Sequence, residues 1–203
     1  MCSKEPTLWE KALAFHGHSC PGLAMGFRAA QAGLARLNAQ RDADEEIFAV
    51  VENDSCGVDA VMVVSGCTLG KGNLLFEDLG KQAYTFGSRK TGKAVRVVLK
   101  NPLSRRDPDF AALAARVMSG QATPAETETF TVLRDKCTRE LMDVPEDELL
   151  RIEELEYRFP SKARIFNSVE CAACGEWAME PRMRLKDGRT VCLPCAGEYA
   201  RRW

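Results

Sequence analysis

Residues 171–195 read CAACGEWAMEPRMRLKDGRTVCLPC, so that Cys171 and Cys174 form one C-x-x-C pair and Cys192 and Cys195 a second, with seventeen residues between them. A C-x-x-C knuckle brings two thiolates to one point, and two knuckles complete the four tetrahedral ligands that structural zinc requires. Gly175 directly after Cys174 suits the turn of the first knuckle. Between the pairs, residues 178–185 and 190–191 flank Lys186-Asp187-Gly188-Arg189, whose Asp-Gly centre predicts a β-hairpin turn. After the second pair, residues 196–203 (AGEYARRW) read as a short helix. Knuckle, hairpin, then a cysteine pair opening a helix is the order of a treble-clef zinc finger. A tail this short has almost no core, so the metal carries its folding. A thioredoxin-like redox pair would need only one C-x-x-C, following a strand of a larger unit.

Working outward, 203 residues exceed what a finger needs and predict one further domain. Lys and Arg number 28 against 29 Asp and Glu, a net charge of −1, which argues against nucleic acid as a partner. Hydrophobic residues make up 45% and charged residues 28%, the profile of a soluble globular protein. Residues 1–10 (MCSKEPTLWE) hold no apolar signal region, and the longest apolar run, residues 58–64, falls far short of a membrane span. A cytoplasmic location follows as the expectation. There, an odd nine cysteines point to metal ligands or reactive thiols rather than disulfides.

Residues 7–16 and 23–38 read as helices, the second after Pro21 and rich in Ala and Gly that admit a close neighbour. Residues 47–52 (IFAVVE) read as a buried strand, and residues 82–88 and 94–99 as antiparallel strands. Residues 56–65 (CGVDAVMVVS) suit helix or strand equally, and the glycines of 66–73 predict a loop. Further helices are expected over 108–119, over 123–142 with a Thr123-Pro124-x-Glu126 start, and briefly over 145–150. The pattern weakens over 158–169, the expected linker. Gly66 to Gly72 (GCTLGKG) lacks the spacing and the hydroxyl of a P-loop, so nucleotide hydrolysis is not expected.

The two histidines of the chain, His16 and His18, both lie beside Cys20 in His16-Gly17-His18-Ser19-Cys20. If that segment is extended, alternate residues share a face and the three side chains converge. Cys20 precedes Pro21 at a helix mouth, where free N–H groups and the helix dipole favour a thiolate. A mixed N/S set suits zinc or another late transition metal. Cys56 and Cys67 flank one element and reach the same cleft only if the fold joins its ends. Taken singly, each reads equally well as a packing thiol, as do Cys2 and Cys137.

The run Phe15-His16-Gly17-His18-Ser19-Cys20-Pro21-Gly22 with Gly26 and Arg28 resembles the opening of the FmdE-like family of formylmethanofuran dehydrogenase subunits. So do Glu52-Asn53-Asp54-Ser55-Cys56 with Asp59-Ala60-Val61, and Gly66-Cys67-Thr68-Leu69-Gly70-Lys71-Gly72-Asn73-Leu74. The resemblance implies an α+β fold: a core over 1–157 mixing helices with an antiparallel sheet, a linker over 158–169 and a treble-clef zinc finger over 170–203. It implies a helix over 56–65, a homodimer, and a core metal or thiol site of His18, Cys20, Cys56 and Cys67, with His16 behind the ligands. The family name refers to a molybdenum or tungsten enzyme whose active centre belongs to other subunits. The first reading is therefore a metal-binding accessory or redox protein, with zinc in the finger and zinc or another transition metal in the core. A second is an adapter docking a molybdenum or tungsten oxidoreductase, its core cysteines inert. A third is a small-molecule enzyme with Cys20 as nucleophile and His16 or His18 as base, for which sequence assigns no orienting carboxylate.

Overall fold

The computed structural model describes residues 5–41, 43–100 and 108–198. The chain divides into two units, Met1–Lys162 and Ala163–Trp203. Among the described residues no helix is long and apolar enough to cross a membrane. Cys2, Asp42 and the end of the helix expected over 196–203 lie outside the described residues.

In the first unit, Thr7 caps α1 (Leu8–His16) in a reciprocal capping box with Glu10, and Gly17 ends the helix in the left-handed conformation at φ 89°. Cys20 caps α2 (Pro21–Arg36) with Pro21 in its first turn. Strand β1 (Ile47–Val51) leads through the loop 52–56 into α3 (Gly57–Ser65). The segment that suits either structure in sequence is thus helical, as the resemblance implies. After α3 the chain returns in β2 (Leu74–Phe76), parallel to β1, and then forms the antiparallel pair β3 (Ala83–Ser88) and β4 (Lys93–Leu99). Helices α4 (Pro108–Met118), α5 (Pro124–Asp143, with the expected Thr123/Glu126 capping box) and α6 (Glu146–Leu149) precede β5 (Leu150–Leu155).

The sheet order is β2-β1-β3-β4-β5, with β1–β2 parallel and the other pairs antiparallel. The core is therefore α+β with a mixed sheet. Strand β2 escapes a sequence reading because three residues are too few to show a period.

One sheet face meets the helices. Ala49, Val51, Tyr84, Phe86, Val95 and Val97 join Leu23, Phe27, Ala30, Ala60, Val61 and Val64 in a single buried cluster. On the other face Phe48 stacks on Tyr157 and meets the edge of Phe159, with centroids 5.6 and 5.1 Å away. There Arg96 clamps Glu52 through both carboxylate oxygens, at 2.6 and 2.7 Å.

The small residues of α2 explain where the site forms. A Cβ on Gly26 would overlap the backbone of Gly57, and one on Gly57 would overlap the Tyr84 hydroxyl. Helices α2 and α3 thus touch backbone to backbone. Gly26→Ala gains about 1 kcal/mol of helix propensity, but rigid backbone on the facing side cannot yield. We expect a net loss of about 3 kcal/mol and a fall of roughly 6–12 °C in Tm by calorimetry.

In the second unit, β6 (Ser168–Glu170) pairs with β7 (Trp177–Met179), and β8 (Met183–Lys186) with β9 (Arg189–Cys192). Asp187 and Gly188 both take positive φ, 50° and 74°, as the expected Asp-Gly hairpin turn requires. The strand expected over 178–185 is interrupted by a 3₁₀ turn, Glu180–Arg182, at Pro181, which has no N–H to give a ladder. The last helix starts earlier than expected, as α7 (Leu193–Ala196), and Gly197 stops it at φ 70°.

Candidate metal centres

The finger closes around Cys171, Cys174, Cys192 and Cys195, whose sulfurs all lie within 4.8 Å of one another. The first knuckle is pinned by Gly175 N–H to the Cys171 carbonyl and Cys171 N–H to the Glu176 carbonyl, both 2.9 Å. The Cys192 N–H donates to Cys171 Sγ at 3.3 Å. That bond, with the N–H of Cys174 and of Ala173, draws the Cys171 thiol down to about 6. Cys195 is pushed up to about 12, first by the sulfurs of Cys192 and Cys174. One sulfur is thus prepared as a thiolate while another needs a cation to ionise. Four sulfurs in a closed set fit structural zinc.

The core cluster forms where three helix ends meet. His16 is the last residue of α1, Cys20 the N-cap of α2, and Cys56 the N-cap of α3. One ligand atom from each lies within 4.8 Å of the other two. Gly22 lets α2 and Cys56 approach, since a Cβ there would stand 3.1 Å from Cys56 Cβ. The loop before Cys56 is held by polar bonds. Asn53 donates to the Lys81 carbonyl at 2.7 Å, and Ser55 Oγ donates to Asn53 at 2.6 Å. Gln82 in turn donates to Ser55 Oγ at 3.3 Å.

Within the cluster His16 Nδ1 donates to Asp59 Oδ2 at 2.7 Å. A carboxylate only accepts, so a proton sits on Nδ1, and in the neutral ring Nε2 keeps its lone pair. That nitrogen lies 3.6 Å from Cys20 Sγ. A carboxylate fixing the tautomer of an imidazole beside thiols is the outer support of a metal-binding histidine. Sequence reasoning gives Asp59 no such role. Its signal is present, three residues after Cys56 in the first turn of a helix, but only the folded chain pairs it with His16.

Two expected core ligands, His18 and Cys67, are not among the clustered groups. His18 is exposed, its ring tilted by 36° against that of His16 at 4.4 Å between centroids, and is not among the three clustered groups. The alternation argument needs extended backbone, whereas His16 ends a helix and Gly17 turns the chain. Cys67 is fully buried, with Sγ–H donating to the Ile47 carbonyl at 3.5 Å. It follows the C-terminal end of α3, and a nine-residue helix separates it from Cys56 by about 13 Å. Cys137 is buried on α5.

Two effects oppose one another at the Cys20 thiol. Leu23 N–H does reach its sulfur, at 3.4 Å. Burial outweighs that bond, and the neighbouring Cys56 adds to it, so the thiol is pushed up to about 11. Beside the cluster opens a cleft of about 520 Å³ lined by His16, Cys56 and Asp59, among others.

An α+β core with a histidine–cysteine cluster, joined to a four-cysteine finger, defines the class of protein. The family described as FmdE, Molybdenum formylmethanofuran dehydrogenase operon, matches residues 15–151, and the chain belongs to it. The prokaryotic dksA/traR C4-type zinc finger matches residues 164–201. A probable S-adenosyl-L-methionine-binding protein of Archaeoglobus fulgidus is 34% identical over 204 residues, 97% of this chain and 54% of the relative. The chain thus spans about half of that protein. The crystal structure of a tungsten formylmethanofuran dehydrogenase FmdE-like protein from Syntrophus aciditrophicus superposes with a TM-score of 0.61. The superposition covers 93% of this chain and 89% of that one at 23% identity, a likeness of fold.

Proposed function

We propose that this is a metal-binding accessory protein with two centres, a closed structural zinc in the finger and an open transition-metal centre in the core. The single observation that carries the reading is the convergence of His16, Cys20 and Cys56 with Asp59 behind the imidazole. Two sulfurs and one nitrogen make a three-ligand set of the kind that leaves a fourth zinc position to water or substrate. His16 takes the ligand role first expected of His18, and Cys67 serves the packing of α3 on β1. The core centre then acts on, or carries, a small ligand as a cytoplasmic homodimer working beside molybdenum or tungsten oxidoreductase subunits, in keeping with the family's operon description.

The adapter reading keeps the same partners but leaves the core thiols inert. The Asp59–His16 bond weighs against it, since packing thiols need no oriented imidazole. The same bond supplies the orienting carboxylate that the Cys20-nucleophile reading lacks in sequence, yet a thiol held up near 11 is poorly suited to attack. The test is zinc content per chain after reconstitution and desalting. Two zinc ions are expected for the native chain, and about 10–100-fold weaker retention of one of them in Asp59→Asn. A single zinc, unaffected by Asp59→Asn, would favour the adapter.

A further inference from the structure

Resting on the open core centre, we infer the class of molecule that occupies its cleft: a small compound with an uncharged, apolar body and one donor atom turned to the metal. The cleft lies off the carboxyl ends of the parallel strands β1 and β2, at the start of α3, the position where α/β crossovers bind ligands. Val51 and Phe76, the last residues of those strands, line it together with Leu74 and Leu69. Phe76 and Leu69 remain 50% and 69% exposed. They are apolar surface at the mouth of a polar site, available to cover a ligand.

Charge decides the rest. Among the described residues lining this cleft there is no Lys or Arg, while Asp54 and Asp59 both contribute. A divalent metal with two thiolates and a neutral imidazole has no net charge of its own to attract an anion. A carboxylate or phosphate would therefore enter against two aspartates with no cation to receive it. A second cavity of similar size, about 550 Å³, carries Lys81, Arg96 and Arg151 instead, so the lack of cations belongs to this cleft and not to the whole unit. His16 and Cys56 line the cleft while Cys20 is buried, so two of the three groups that would hold the metal face a ligand in the cleft.

The probes are two thiols with the same donor atom, phenylmethanethiol and mercaptoacetate, each losing its S–H proton to solvent when sulfur binds metal. Cobalt(II) is loaded into the full chain and its visible absorption followed as each thiol is added. The four-sulfur finger is closed and does not respond. Phenylmethanethiol is expected to bind at least about tenfold more tightly than mercaptoacetate. Phe76→Ala is expected to weaken it by about tenfold with mercaptoacetate unchanged. Equal or tighter binding of mercaptoacetate, or no spectral response with two cobalt ions bound, overturns the inference and leaves the core centre standing. Uptake of only one cobalt ion defeats the core centre itself, and the inference with it.

Discussion

Cys174→Ser strips the finger of its zinc and unfolds it, while the core keeps its thermal transition. The effect is expected to be the largest of any single substitution in the chain. Among its described residues the second unit buries little besides Cys171, Val191 and Cys192, with Ala178, Met183, Cys195 and Ala196 packed against them. Trp177, Met179 and Leu185 are exposed instead. Apolar burial on that scale cannot offset the ordering of some thirty residues. Zinc in such sites contributes roughly 10–16 kcal/mol of apparent folding free energy at neutral pH. Limited proteolysis should cut the variant between residues 163 and 198 and leave a stable core fragment, and chelation of the native protein should do the same. A protected, metal-free tail in the variant would refute a metal-dependent finger.

The second large effect concerns the core. His16→Ala removes the only nitrogen of the cluster, and the core metal should be lost by more than the ~100-fold that an outer partner such as Asp59 carries. His18→Ala, by contrast, is expected to leave uptake unchanged, because that ring is exposed beside His16 rather than clustered with the thiols. Equilibrium dialysis against zinc, with the finger serving as internal reference, separates the two variants. Equal losses in both would mean that the metal draws His18 in, and loss in His18→Ala alone would restore the arrangement expected from the sequence.

The contrast between the two centres shows what a sequence can disclose about a site. All four finger ligands lie within 25 residues, and the Asp-Gly turn between them has a single ready conformation, so spacing and chemistry suffice. The core cluster is built from three helix ends, and its membership depends on facts that no local pattern holds. Gly17 decides for His16 over His18 by ending α1 in a left-handed turn. A glycine after a helical run is a readable stop signal, but the alternation argument sets it aside by taking the segment as extended. Cys56 and Cys67 look equivalent in sequence because both border one apolar run. Once that run is a helix they lie at opposite ends of it, and only the N-terminal one meets α2.

The helix itself is undecidable from Val58, Val61, Val63 and Val64, whose β-branched side chains suit a strand as well. It is the backbone contact of Gly26 with Gly57 that needs a helix there, a tertiary fact written in two separated glycines. The parallel strand β2 is hidden for a related reason. Its three residues have meaning only beside β1, and its presence is what turns an antiparallel sheet into a mixed one with a crevice at the strand ends.

The central claim is an open centre of two sulfurs and one histidine in the core, and zinc X-ray absorption on the Cys174→Ser protein tests it most directly. With the finger disabled, one zinc per chain should remain, showing two sulfur neighbours at about 2.3 Å and two nitrogen or oxygen neighbours at about 2.0–2.1 Å. A protein that retains no zinc, or a shell of four sulfurs, would contradict it.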